Sequence, residues 1–152
     1  MKKYLLCLVA LLAVALVSCD KSSNPDARDA FVGTYSADAL IDYTVVTGEG
    51  QESGSMPVQG KVYITKNGDG NGVLIAGDVY CNGAVENETL RIEPQHFRQL
   101  TAMGLIDVNM SFEPAQLIDN KLAITGTVDG SIVVAGQTGT IDATITAVAT
   151  KE

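Results

Sequence analysis

The chain has no tryptophan, one histidine and only three cysteines among its 152 residues. Because Cys7 and Cys19 belong to the N-terminal signal described below, one cysteine and one histidine remain, which are too few for the four ligands of a Cys/His zinc site. The histidine, His96, has no acid or serine at the spacing of a hydrolytic motif, and the patterns Gly-x-Ser-x-Gly, His-Glu-x-x-His and Cys-x-x-Cys do not occur. We therefore expect a protein that is not an enzyme and that needs neither a metal centre nor a cofactor.

Long apolar runs are also absent, except for one at the N-terminus, where Lys2 and Lys3 precede residues 4–17. This order of a basic segment, an apolar run and small residues predicts a secretory signal peptide. The run is shorter than the ~20 residues that a membrane-spanning helix needs, and no basic flank follows it. We therefore expect the protein to be exported.

The end of this signal, Leu16-Val17-Ser18-Cys19, resembles the lipobox of bacterial lipoproteins. The resemblance implies that the chain is cut before Cys19 and that acyl chains such as palmitate are attached to this cysteine. Because two or more acyl chains hold a protein stably at a membrane, we expect a lipid anchor in the bacterial cell envelope, at the outer membrane, on its periplasmic or its surface face. The predicted organisation is then a signal peptide over residues 1–18, a tether over 19–30 and a single domain over 31–152.

Basic residues are scarce, because ten Lys and Arg stand against 18 Asp and Glu, for a formal net charge of −8. The signal contains two of the lysines and none of the acids, so its removal leaves eight basic residues and 18 acidic ones. A surface with this balance repels nucleic acid and anionic lipid headgroups. We therefore expect no nucleic-acid partner, and a membrane contact that depends on the lipid at Cys19.

The rest of the chain alternates apolar and polar residues with a period of two, which is typical of half-buried antiparallel strands. Segments rich in Gly and polar residues, such as 48–55, 67–72 and 129–130, predict a loop and hairpin turns between the strands. Residues 94–103 break the alternation, and a proline at their start and a glycine after their end predict a short helix. We count about eight strands and expect an all-β, antiparallel up-and-down meander closed into a barrel, with a two-sheet β-sandwich as the alternative.

The start of the domain, Phe31-Val32-Gly33-Thr34-Tyr35, looks like the first strand of small lipocalin-like (calycin-like) β-barrel lipoproteins of the Bacteroidota. The hairpin-rich first half and a final strand rich in Thr, Ile and Ala fit the same layout over residues 31–149. Gly33-Thr34-Tyr35 stands where lipocalins carry Gly-x-Trp, and this chain departs from the pattern because it has no tryptophan. The resemblance implies a barrel that either holds a ligand or is displayed on the cell surface.

Two functions are expected from these features. The first is binding of a small apolar or amphipathic ligand in or at the mouth of the barrel, where small residues such as Ala37, Ala39 and Ala143 leave space. The candidate ligand-binding residues are aromatic: Tyr43, Tyr63 and Phe97. The second is a structural or interaction module with a filled core and no ligand, which contacts an envelope protein or a glycan through an edge strand or a loop.

One segment has spacing like that of a calcium-binding loop with its turn glycine, and its candidate ligands are Asn67, Asp69, Asn71 and Asp78. Among the first three of these residues only one is a carboxylate, and the last is Asp where a bidentate Glu is usual. Residues 73–78 also have the pattern of a strand. We therefore interpret the segment as a hairpin turn.

Overall fold

The computed structural model describes residues 26–152 except residues 79, 102 and 103. The predicted signal peptide, Cys19 and most of the predicted tether lie outside the described residues. Within the described ranges, no helix is long and apolar enough to cross a membrane. One 3-10 turn, Ala27–Ala30, precedes ten strands: β1 Gly33–Thr47, β2 Gly50–Lys66, β3 Gly72–Ala76, β4 Tyr80–Glu86, β5 Thr89–Ile92, β6 Gln95–Thr101, β7 Gly104–Phe112, β8 Ala115–Ile118, β9 Lys121–Val134 and β10 Gln137–Lys151.

All ten strands belong to one antiparallel sheet with the order β10-β1-β2-β3-β4-β5-β8-β9-β7-β6. Because β9 also pairs with β10, the first eight strands of this order close into a ring, and β7 and β6 continue the sheet beyond β9. One edge of β9 pairs with β10, and the other edge is shared by β8 near Leu122 and by β7 from Gly126 to Val133. The predicted all-β, antiparallel barrel-like fold is confirmed, although the ring is uneven and has more strands beside it than expected.

The half of the ring that β3, β4, β5 and β8 complete is called here the closed half. Its core is filled by side chains. Its large, deeply buried side chains include Phe31, Tyr35, Ile64, Val73, Leu90 and Leu122. The N-terminal turn closes the end of this half, and the Tyr35 hydroxyl donates a hydrogen bond to the Phe31 carbonyl at 2.6 Å. Burial raises the pKa of Tyr35. Each such side chain contributes roughly 1.5–3 kcal/mol when fully buried, so this cluster is a main source of stability.

Arg28 fixes the N-terminal turn to the end of the barrel. Its guanidinium donates to the carbonyl oxygens of Gly68 at 3.0 Å and Gly72 at 3.1 Å, and it pairs with Asp26 at 2.8 Å. Lys66 also reaches Asp26, at 2.9 Å. Hydrogen bonds from Arg28 first, and then from Lys66, hold the pKa of Asp26 well below its usual range. The closed end is therefore held by charge-assisted hydrogen bonds as well as by apolar packing.

The prediction of a short helix near residues 94–103 is wrong, because Gln95–Thr101 forms β6 and pairs with β7 along its whole length. The outward side chains of β6 pair with the same acid of β7: Asp107 lies 3.3 Å from the His96 ring and 3.4 Å from the Arg98 guanidinium. A helix of two turns is marginal by itself, whereas pairing with a neighbouring strand satisfies the backbone of every second residue. Tertiary pairing therefore outweighs the local helix signal.

Two predicted breaks between strands are also wrong. Asp129 and Gly130 lie in the middle of β9 and pair with both neighbouring strands. The predicted loop 48–55 is a turn only at residues 48 and 49, after which β2 begins. A Cβ at position 130 would contact the Asp107 carbonyl and lie 2.7 Å from the Cα of Val108. Glycine at this position therefore permits close packing of two strands and does not reverse the chain.

Candidate functional site

The rest of the barrel, including β6 and β7, is called here the open half. It is incomplete because neighbouring strands differ in length. β1 has 15 residues and β2 has 17, but their neighbour β3 has five and pairs only with Tyr63–Lys66 of β2. Beyond β3, the order of the described sheet is β2-β1-β10-β9-β7-β6. The first part of β2 and the strand β6 are the two edges of this sheet, and no described strand joins them.

The interior of the open half contains a partly enclosed cavity of about 910 Å³. This volume lies within the ~300–1,000 Å³ of pockets that hold small organic ligands. All six strands of the open half contribute to the wall, and aliphatic and aromatic side chains form most of it. β1 and β10 provide Ile41, Tyr43, Val45, Thr47, Gln137, Ile141, Ala143 and Ile145, β6, β7 and β9 provide Phe97, Ile106, Val108, Met110, Val128 and Ile132, and β2 and the turns provide Glu49, Glu52, Ser55, Met56, Pro57 and Ala135.

Strand register brings these wall residues onto one concave surface. Tyr43 of β1 is opposite Ala143 of β10, which is opposite Val128 of β9, which is opposite Met110 of β7. Because side chains alternate between the two faces of a strand, residues that are directly opposite one another point to the same side. The short side chain of Ala143 between Tyr43 and Val128 leaves depth at the centre of this surface.

The ring of Tyr43 lies across Gly54 on the edge strand β2. A Cβ at position 54 would come within 2.8 Å of the Tyr43 hydroxyl oxygen and 2.9 Å of the ring carbon that bears it. The absence of a side chain at Gly54 therefore gives the Tyr43 ring its place against β2.

The two carboxylates of the described cavity wall are near the turns at the end of the open half, called here the mouth. Glu49 follows β1, and its carboxylate accepts a hydrogen bond from the Gln137 side-chain amide at 3.3 Å. Glu52 is opposite Val45 in the β1–β2 register, so it lies on the concave face with the apolar wall. Among the described residues that line the cavity, two are Glu and none is Lys, Arg or His.

The structure brings together two of the three predicted ligand-binding residues. Tyr43 and Phe97 both line the cavity, and Phe97 reaches it from β6. Tyr63 does not: it pairs with Thr34 and Ala76 in the closed half, and 47% of its surface is exposed on the outer face. Its expected position at the mouth is therefore corrected, because Ile64, the next residue along β2, takes the inward position.

The segment with calcium-loop spacing forms the turns around β3. Asn67, Asp69 and Asn71 lie in the turn between β2 and β3, and Asp78 lies in the turn after β3. The backbone amide of Asn67 donates to the Gly72 carbonyl at 2.9 Å, as expected of a hairpin turn. In the described ranges, no group of three or more His, Cys, Asp or Glu residues is arranged to hold a metal ion.

Cys81 lies in the closed half, where it packs against the buried cluster and is half-buried. Burial raises the pKa of its thiol. A nucleophilic cysteine needs a lowered pKa and an electropositive neighbourhood, so the surroundings of Cys81 do not activate it. Its role in the fold is that of a small apolar side chain.

A polar depression lies on the outer face of the same long strands, opposite the cavity across the sheet. Its acids are Asp42, Asp129 and Asp142, and the last two are directly opposite one another on β9 and β10. The Ser55 hydroxyl donates a hydrogen bond to Asp42. These carboxylates are exposed to solvent and separated from the cavity by the backbone of the sheet.

Most of the cavity wall was not predicted as a site, including the isoleucines Ile41, Ile141 and Ile145. The alternation of β1 and β10 identifies them as inward residues, but it does not distinguish a filled interior from an open one. The two glutamates at the mouth were missed as well, because Glu49 and Glu52 lie in a segment with the composition of a loop.

The structure thus defines an antiparallel β-ring with a packed closed half and an apolar, solvent-accessible open half. No protein-family model, curated protein or solved structure matches this chain.

Proposed function

We propose that this protein binds a small apolar or amphipathic molecule in the cavity of the open half. The observation that carries the proposal is the cavity itself, about 910 Å³ of solvent-accessible space between walls of Ile, Val, Met, Tyr and Phe. Displacing water from such walls yields roughly 25 cal/mol for each Å² of apolar surface that is buried. A molecule that fills the cavity therefore gains binding free energy from the hydrophobic effect alone.

The experiment is a fluorescence titration with N-phenyl-1-naphthylamine, a neutral dye that brightens in apolar surroundings. Ala143→Trp is expected to raise the Kd of the purified protein for this dye by about tenfold or more, which is a loss of about 1.4 kcal/mol. The reason is steric, because Ala143 faces the cavity between Tyr43 and Val128 and an indole takes the space that the dye needs.

Thr144→Trp is the matched control, because Thr144 is the next residue of β10 and is exposed on the outer face. The same large side chain at this position is expected to leave the Kd within about twofold of the original value. Absence of dye binding by the unaltered protein, or an equal loss in both variants, would contradict the proposal.

The alternative function is an interaction module that contacts an envelope protein or a glycan. It is supported by a row of residues on the outer face of the closed half, where Tyr63, Ala76 and Tyr80 are neighbours on β2, β3 and β4. Tyr63 and Tyr80 are 47% and 70% exposed. Tyrosine is enriched at interfaces because it offers an apolar ring with a polar tip. On this alternative, Tyr80→Ser abolishes partner binding and Ala143→Trp has no effect.

We further propose that the protein is a lipoprotein of the outer membrane, anchored through acyl chains on Cys19, with the mouth of the cavity directed away from the bilayer. The described chain starts at Asp26, which is bonded to Arg28 and Lys66 at the closed end. The stretch from Cys19 to Asp26 spans at most about 25 Å. The 15-residue strand β1 is about 50 Å long, and with a tilt of about 40° it rises about 38 Å. If the closed end is held near the bilayer by this short tether, the mouth of an upright barrel lies in the aqueous phase. The ligand then enters and leaves from the aqueous phase.

Cys19→Ser is expected to abolish incorporation of labelled palmitate in a bacterial host and to leave residues 1–18 uncleaved, because the lipid is attached to this sulfur. Cys81→Ser is the control, and it is expected to retain both labelling and cleavage. The measurements are autoradiography of the purified protein and its intact mass. Palmitate labelling that survives Cys19→Ser would contradict the proposed anchor.

A further inference from the structure

Positive charge is concentrated in the closed half of the barrel. Of the seven described Lys and Arg residues, six lie there: Arg28, Lys61, Lys66, Arg91, Lys121 and Lys151. Most are held in place, since Arg28 and Lys66 pair with Asp26, and Lys61 pairs with Glu152 at 2.9 Å. These contacts keep the cations away from the cavity.

Negative charge dominates the open half, which consists of residues 41–57, 95–110 and 127–145. These segments carry six carboxylates and one guanidinium, that of Arg98, which points outward and lies 3.4 Å from Asp107. The open half thus carries five negative charges in excess, and no Lys, Arg or His is among the described residues that line the cavity. Several negative charges in a concave, low-dielectric site raise the local concentration of cations.

Two of these carboxylates belong to the cavity wall. Glu52 is on the concave face opposite Val45, and it has no hydrogen-bond or ion-pair partner among the described residues. Glu49 has a single neutral partner, the Gln137 amide at 3.3 Å. Both side chains therefore have acceptor oxygens available at the mouth, whereas the other four carboxylates of the open half lie on the outer face.

The apolar wall continues inward from these acids. From Val45, opposite Glu52, to Ile41 the strand β1 runs four residues, or about 13 Å. Ile141 and Ile145 of β10 flank the same length, because they are opposite Val45 and Ile41. A ligand with a charged head at the mouth thus has room for an alkyl chain of about ten carbons along the wall.

We infer that the cavity selects amphiphiles with a cationic head group, such as long-chain amines and quaternary ammonium compounds, over fatty acids of the same length. This inference rests on the proposed function of the cavity. The alkyl chain lies along Ile41, Val45, Ile141 and Ile145, and the head group lies beside Glu52 and Glu49. A fatty-acid carboxylate in the same position meets two like charges and no Lys, Arg or His among the described residues that line the cavity.

The experiment displaces bound N-phenyl-1-naphthylamine from the purified protein with decyltrimethylammonium, with decanoate and with decanol. At neutral pH and low salt, the cation is expected to displace the dye at a concentration about tenfold lower than decanoate, since two exposed ion pairs favour the cation and the repulsion of the anion adds to the difference. High salt is expected to reduce this ratio by screening.

The double variant Glu49→Gln/Glu52→Gln is expected to bring the ratio of the two concentrations close to one, because the head group then meets no charge at the mouth. Its control is Asp129→Asn/Asp142→Asn, which changes the net charge by the same amount on the outer face of β9 and β10 and should leave the ratio within about twofold. Comparison of the two double variants separates recognition of the head group by Glu49 and Glu52 from a general effect of net charge.

The outcomes also distinguish failure of the proposed ligand binding from failure of the preference for cationic head groups. If the dye does not bind, the proposed function itself fails. If the dye binds and is lost in Ala143→Trp, but decanoate displaces it as well as the cation does, the cavity stands and the preference for cations is overturned. An equal change of the ratio in both double variants would overturn the assignment of that preference to Glu49 and Glu52.

Discussion

Gly130→Ala is expected to destabilise the protein by about 3 kcal/mol, although it adds a single methyl group to the middle of a strand. Gly130 lies between Val108 of β7 and Ile141 of β10. A Cβ there would contact the Asp107 carbonyl oxygen and lie 2.7 Å from the Cα of Val108. Because these obstacles are backbone atoms, the clash is relieved only if β7 and β9 separate.

Gly60→Ala is the control for this prediction. Gly60 also lies within a strand, but a Cβ there meets no heavy atom within 4 Å. Alanine restricts the unfolded chain more than glycine does, so we expect a change between zero and a gain of about 1 kcal/mol. Urea denaturation measures both free energies of unfolding. Similar stability of the two variants would mean that β9 does not run on through Gly130 and that the turn predicted at residues 129–130 is correct.

Tyr35→Ala is expected to cost about 4 kcal/mol, a large part of the ~5–15 kcal/mol that holds a typical domain folded. Tyr35 is completely buried at the closed end, and its hydroxyl donates to the Phe31 carbonyl at 2.6 Å. Removing the ring leaves a cavity under the N-terminal turn and deprives this carbonyl of a donor. Tyr35→Phe keeps the ring and loses only the hydrogen bond, so about 1 kcal/mol is expected.

Tyr80→Ala provides the reference for a tyrosine that does not support the fold. Its side chain is on the outer face and 70% exposed, so the change is expected to stay within about 0.5 kcal/mol. Denaturant unfolding of the three variants gives the order Tyr35→Ala, Tyr35→Phe, Tyr80→Ala from the largest loss to the smallest. A Tyr35→Ala protein as stable as Tyr80→Ala would contradict the description of the closed end.

The class of the fold and the inward faces of the longest strands were predictable from the sequence. Alternation along residues 35–45 and 140–148 assigns Tyr43 and Ile141 to the inside, and both line the cavity. The pairing of β5 with β8, and of β7 with β9, was not predictable. These pairings depend on how strand lengths fit around the ring, which is a non-local property that no short window of sequence contains.

The reason for the cavity was predicted only in part. Small residues are expected from the sequence to create it, but Ala37 packs against the core of the closed half, and of the small residues considered only Ala143 lines the cavity. The space exists mainly because β3 is too short to continue along β2. Strand length is set by the position of turns, and two of the predicted breaks were wrong, so the size of the interior could not be derived.

The segment that carries Glu49 and Glu52 was predicted as a loop for a physical reason. Glycine, serine and acids are also what an unpaired edge strand tolerates, since charge on an edge discourages pairing with another chain. The first part of β2 is such an edge. Composition therefore does not separate a flexible loop from a protected edge, and the two residues with the most specific proposed role are the ones that local reasoning misses.

The most direct test of the cavity is the position of a bound molecule. Isotope-edited nuclear Overhauser effects between the aromatic protons of N-phenyl-1-naphthylamine and the isoleucine methyl groups of the purified protein provide it. We expect signals to the wall residues Ile41, Ile141 and Ile145, and none to Ile75 in the closed core or to Ile118, which is 63% exposed on the outer face. Signals to Ile75 or Ile118 in place of the wall residues, or no intermolecular signal at saturating dye, would contradict it.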